Sequence, residues 1–245
     1  MEVHAHTHTP RKKWTHYFWE FLMLFLAVFC GFLAEYQLEH LIEKQREKQY
    51  IISMVEDLSS DTTQLTYIIN RFGQKMKCID TALALFPQLA LGYHSVLRRN
   101  IKEVQGFPDF VKADRTMQQL KNSGGMRLIR HQKAAYGITG YDLAIRDLEI
   151  DVIALNDIFN DIRKSWYEIF DEEALEADMK IKTPSGLESG KKNYLLRADK
   201  PLLGRFNNEI RDFKSVSGLV MNREEKLKTT AVELIVLLKK EYHLE

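Results

Sequence analysis

Apolar residues along this chain fall into one unbroken run and three periodic ones. From Tyr17 to Ala34 the sequence YFWEFLMLFLAVFCGFLA holds eighteen residues with a single charge, Glu20. At about 1.5 Å per residue this spans roughly 27 Å, close to the ~30 Å hydrocarbon thickness of a bilayer. Residues 17–34 are therefore expected to form a transmembrane helix. Past it, Ile51, Val55, Leu58, Thr62, Leu65, Ile69, Phe72, Met76, Ile79, Leu83 and Phe86 alternate spacings of four and three, which predicts a helix with a continuous apolar seam. A second such run passes through Ile138, Tyr141, Ile145, Leu148, Val152, Leu155, Phe159, Ile162, Trp166 and Ile169. A third, more broken by polar residues, passes through Phe206, Ile210, Phe213, Ser217, Val220, Glu224, Leu227, Ala231, Leu234 and Leu238.

Three long helices each need a partner for the apolar seam. The expected fold is all-α: the transmembrane helix continues into an antiparallel, up-down-up bundle over 35–245, with the second long helix returning towards the membrane. Pro87, Gly92, Gly106, Pro108 and the pair Gly124 and Gly125 break residues 87–130 into short helices, which this order of helices puts at the membrane-distal tip. The turn-rich TPSGLESGKK stretch in the 179–200 connection is expected at the opposite end. Ile150, Ile153 and Ile158 lie off the second seam, and this broader apolar surface favours burial in a globular bundle over the rival use of the seams, a self-associating coiled coil.

The flanks of the apolar run set an orientation. Arg11, Lys12 and Lys13 precede it, whereas Glu35 and Glu39 follow it before the first lysine on that side. By the positive-inside rule, the polar tail 1–16 is cytoplasmic and the bundle lies across the inner membrane in the periplasm. Trp14, Tyr17 and Trp19 at one end and Tyr36 at the other suit the two headgroup levels. A cleaved signal peptide fits worse, because Phe29 or Phe32 stands two residues upstream of Gly31 or Ala34. A lipid-modified Cys30 would follow Phe29 rather than a small residue. A buried hairpin of a soluble fold is the remaining alternative.

Composition changes this picture little. A net charge of +1 argues against a nucleic-acid binder. Charge is unevenly spread: residues 98–133 carry nine Lys/Arg against three acids, and residues 134–178 carry twelve acids against three basic residues. Solvated helix faces with cross-helix pairing account for most of this pattern. Cys30 and Cys78 are too differently placed to bridge.

Candidate chemistry is sparse. Glu20, about one turn inside the run, can pair with Lys13 or His16 at the headgroup level, or dock a partner transmembrane helix. His4, His6 and His8 form an H-x-H-x-H stretch that gives a weak metal site in a polar tail. The sequence DRTMQQLKNSGGMRLIRHQ reads as helix, break, helix, with Asp114 as N-cap, Met117 and Leu120 as an apolar face and Asn122 to Gly125 as a left-handed turn. Arg115, Lys121, Asn122, Arg127 and Arg130 then surround backbone amides at a helix start, an arrangement suited to a carboxylate or phosphate. Phe159, Trp166 and Phe170 are read as core packing. No nucleophile elbow, Walker loop, C-x-x-C or dinucleotide fingerprint occurs, and the expectation is a non-enzymatic protein without cofactor.

The stretch from Asp114 to Asp142, DRTMQQLKNSGGMRLIRHQKAAYGITGYD, together with RKKWTHYFWEFLMLFLAVFCGFLAEYQLEH, resembles an uncharacterised family of small single-pass membrane proteins common in Bacteroidetes. The likeness covers roughly residues 11–65 and 110–145. It implies the same order of parts, a short N-terminus, one transmembrane helix and a helical region, and no particular activity. The expected role is membrane-anchored interaction or scaffolding in the cell envelope, with the lipid bilayer and other proteins or further copies of the chain as partners. The alternative is a bundle that senses a small anion; the few residues ahead of the run leave no room there for an output domain.

Overall fold

A computed structural model of the protein describes residues 14–91, 95–179 and 194–244. His4, His6 and His8 and the turn-rich stretch 180–193 lie outside them. The described chain is all-α. Its helices are α1 (Trp14–Leu85), α2 (Ser95–Ile101), α3 (Arg115–Asn122), α4 (Gln132–Ile169), α5 (Glu172–Met179) and α6 (Lys200–Glu241), with 3-10 turns at Phe86–Leu91, Lys102–Val104 and Gly125–Leu128. An isolated bridge between Phe170 and Leu195 is the sole β-type pairing among the described residues. Two compact units divide between Gln49 and Tyr50.

In the first unit, α1 carries the apolar run. This helix is long and apolar enough to cross a membrane, and none of its most apolar window is buried. Phe21, Phe25 and Phe29, four residues apart, stack along one side with ring centroids 6.3 and 5.9 Å apart.

The second unit is a bundle of α1 from Tyr50 onward, α4 and α6. Side-chain pairs fix its directions. His131 meets Glu241 at 3.0 Å, Asp151 meets Arg223, and Glu168 meets Arg205 at 3.0 Å, so α4 and α6 are antiparallel. Asp80 pairs with Lys214 and Phe86 packs on Phe206 at 6.0 Å, so α6 also opposes α1. The expected up-down-up order is therefore corrected, because α1 and α4 run the same way. The connection does the returning. Glu103 lies beside Lys75, Val111 beside Gln64, Ala113 beside Asp61, Thr116 beside Asp57 and Ser123 beside Tyr50. Residues 103–123 thus form a strap that descends the length of α1 and hands the chain to α4 at the Tyr50 end. Gly106, Pro108 and the non-helical backbone over 106–114 make this possible, since a chain outside a helix can cover up to about twice the distance per residue of a helix.

The short helices consequently do not gather at one tip. Phe86–Leu91 shares one end with Trp166, Phe170 and Tyr194, whereas α3 and the Gly124 turn lie at the Tyr50 end. The start of the connection that leads into α6 also sits at the Phe86 end. Phe107 is the strap's wedge: its ring lies 6.4 Å from Phe72, 6.0 Å from Phe159 and 6.2 Å from Phe213. It touches all three long helices and makes the strap a fourth packed layer.

The seam of α6 is buried at every expected position, and that of α4 is buried or partly buried throughout. In α1 half of the seam is displaced by one residue. Ile51, Leu58, Leu65, Phe72, Ile79 and Phe86 are buried as expected, but the alternate positions are Met54, Asp61, Ile68, Lys75 and Ala82 in place of Val55, Thr62, Ile69, Met76 and Leu83. Two buried ionisable side chains, Asp61 and Lys75, hide this register from an apolar count. Ile150 and Ile153, expected in the core, are 64% and 62% exposed.

Candidate functional site

The densest chemistry lies where the strap crosses α1 and α4. On α1, Asp57 and Asp61 point into the bundle one helical turn apart, and both are buried. Asp57 accepts the Thr116 amide N–H at 2.9 Å on one oxygen and the Arg115 guanidinium at 3.0 Å on the other. Asp61 accepts the Ala113 amide at 2.7 Å and the Tyr141 hydroxyl at 2.8 Å. On α4, Asp142 accepts Lys121 Nζ at 2.6 Å and also holds Arg146. The strap is thus tied down by carboxylates from two helices.

Each anchor has a local reason. Extended backbone before α3 has amides with no helical acceptor, and the first turn of a helix leaves its own amides open. Asp57 supplies the negative charge that the α3 N-terminus favours. Asp114 occupies the expected N-cap position, but its side chain makes no cap bond and instead accepts from Gln118 at 3.3 Å. Capping comes from across the bundle, a correction to the local reading. Gly124 takes the left-handed conformation expected of the turn, with φ of 66°.

Electrostatics follow burial and pairing. Burial pushes the Asp61 carboxyl above the usual range, and its bonds to Ala113 and Tyr141 only partly oppose this. The Tyr141 hydroxyl is pushed up by burial and by the adjacent Asp61. Burial also acts to raise Asp142, but hydrogen bonds from Lys121 and Arg146 outweigh it and hold the carboxyl below its ordinary value. Lys75, buried beneath the strap, is pushed down by desolvation while its ammonium donates to the Glu103 carbonyl.

The residues expected to cradle an anion divide accordingly. Arg115 and Lys121 come together here, and the anions they hold are Asp57 and Asp142 of the chain itself. Asn122, Arg127 and Arg130 are exposed around the turn that follows. Between the strap, α1 and α4 a cavity of about 30 Å³ remains, lined in part by Asp57, Asp61, Lys112, Tyr141 and Asp142, which is room for a water rather than a substrate. Glu20 pairs with His16 at 3.1 Å, one of the two partners expected for it. Among the described residues no cluster of His, Cys, Asp or Glu could hold a metal ion.

Glu224 escaped the sequence reading as chemistry because it fell on the α6 seam. It is 1% exposed, its Oε2 has no hydrogen-bond partner, and burial, reinforced by Asp109, pushes its carboxyl up to about 8. No protein-family model, curated protein or solved structure matches this chain.

Proposed function

We propose that this protein is a single-pass, membrane-anchored helical module that works by binding other proteins or further copies of itself, without catalysis. In this reading residues 17–34 cross the inner membrane, the N-terminal tail is cytoplasmic and the bundle is periplasmic. The carrying observation is the apolar run of α1, whose large side chains from Tyr17 to Leu33 are almost all exposed and so present a surface suited to lipid. Arg11, Lys12 and Lys13 ahead of the run support the orientation. The resemblance of the Arg11 to His40 and Asp114 to Asp142 stretches to single-pass Bacteroidetes proteins supports the same order of parts. A bundle whose most polar region is spent on holding its own strap suits an interaction role better than a catalytic one.

The test is thiol labelling in intact cells of a chain with Cys30 and Cys78 replaced by serine and an exposed reporter, Glu225→Cys. Reaction with a membrane-impermeant maleimide before lysis is expected. Protection until lysis would overturn the orientation, and recovery of the chain in the soluble fraction without detergent would overturn the anchor.

A further inference from the structure

The outer face of α4 is apolar where a solvated helix face would be polar. At about 100° per residue, Tyr136, Leu143 and Ile150 line up seven residues apart directly opposite the buried seam, with Ile153 beside them. They are 69%, 55%, 64% and 62% exposed. Between Tyr136 and Ala154 the only charges on this face are Arg146, on one flank of the Leu143–Ile150 line, and Asp147, on the other. The remaining carboxylates of this stretch are neutralised within the chain: Asp142 by Lys121 and Arg146, Glu149 by Lys112, Asp151 by Arg223. Asp147 has no partner among the described residues.

We propose that this face pairs with the same face of a second copy, the two α4 helices lying side by side and parallel. The inference rests on the interaction reading above and names its partner. Charge decides the direction. When two parallel helices are related by a twofold axis along their length, each flank meets the opposite flank of the other copy. Arg146 of one copy then faces Asp147 of the other, twice, while Leu143 and Ile150 meet their own counterparts. An antiparallel pairing brings like flank to like flank, setting Arg146 against Arg146 and Asp147 against Asp147. Arg146 keeps guanidinium donors for this contact while it holds Asp142. Size agrees with charge: Gly140, where an added Cβ would meet nothing within 4 Å, comes opposite Thr139, and Ala154 comes opposite Ile153.

Cysteine crosslinking of the full-length chain in detergent, with Cys30 and Cys78 replaced by serine, tests the pairing. Leu143→Cys and Ile150→Cys, each alone, are expected to form disulfide dimers at least roughly tenfold faster than Glu225→Cys on α6, because a docked face raises the effective thiol concentration. Asp147→Arg should slow crosslinking of Leu143→Cys, and adding Arg146→Asp should restore it. Crosslinking of Leu143→Cys with Ile150→Cys only when the two are mixed would overturn the parallel arrangement, and rates equal to Glu225→Cys would overturn the interface. Flotation of the wild-type chain with liposomes reads the membrane anchor separately, so that failure of one reading is not mistaken for failure of the other.

Discussion

A buried carboxyl with no partner, such as Glu224, is held in the folded state by keeping its proton. Its folded value of about 8 lies above the 4.5 of an unhindered glutamate, so the folded protein binds a proton that the unfolded chain releases between those values. Stability therefore falls as pH rises from about 4.5 and levels off above about 8. Glu224→Gln removes the charge and keeps the shape; it is expected to raise stability at pH 7 by roughly 3 kcal/mol and to flatten the pH dependence in urea titrations. An unchanged slope between pH 5 and 8 would mean that the carboxyl is solvated. Asp57, by contrast, accepts hydrogen bonds on both oxygens. Asp57→Ala strips the Thr116 amide and Arg115 of their acceptor and should destabilise by about 1–3 kcal/mol, measured as a lower urea midpoint at constant slope.

The element that distinguishes this bundle is the strap. It carries one non-helical stretch over 106–114, one short helix capped from across the bundle, and one aromatic wedge. Val104, Leu120 and Met117 bury its apolar side chains, and the partly buried Phe107 has rings from all three long helices around it. Phe107→Ala should cost about 3–5 kcal/mol and should speed amide hydrogen exchange over 103–123 more than in α6. Uniform loss of protection would show instead that the strap and the helices open as one unit. The helices differ in what their seams reveal. In α6 the sequence periodicity and the buried face coincide even at Ser217 and Glu224, because the spacing was unbroken. In α1 the buried Asp61 and Lys75 face the strap, and polar residues that bond to extended backbone cannot be recognised as interior from hydropathy.

At the scale of the molecule, two apolar stripes stand out among the described residues outside the core. One is the run of α1 suited to a bilayer, and the other is the outer stripe of α4 that matches a second copy of itself. The same rule reads both, since large apolar side chains in register on one face ask for a cover that single scattered ones do not. The pH behaviour of the molecule combines opposing groups. Asp142, held low, contributes stability above the ordinary aspartate range that is lost as pH falls through it, whereas Asp61 and Glu224, held high, lose stability as pH rises.

By itself the sequence determined the helix class, the three long helices, the apolar run and the left-handed turn at Gly124, because each follows from spacing or composition within a few turns of chain. It also marked the tight corner after Asp114, though it took the amides there as open to an external anion. Only the tertiary structure decided that α4 runs with α1, that the connection returns as a strap, that Asp57 and Asp61 supply its acceptors, and that Ile150 and Ile153 face outward. A heptad seam says which face of a helix is buried and is silent on direction and neighbour. Those are settled by where a long connection travels and by which distant side chain reaches an unpaired amide, and neither leaves a periodic trace in the sequence.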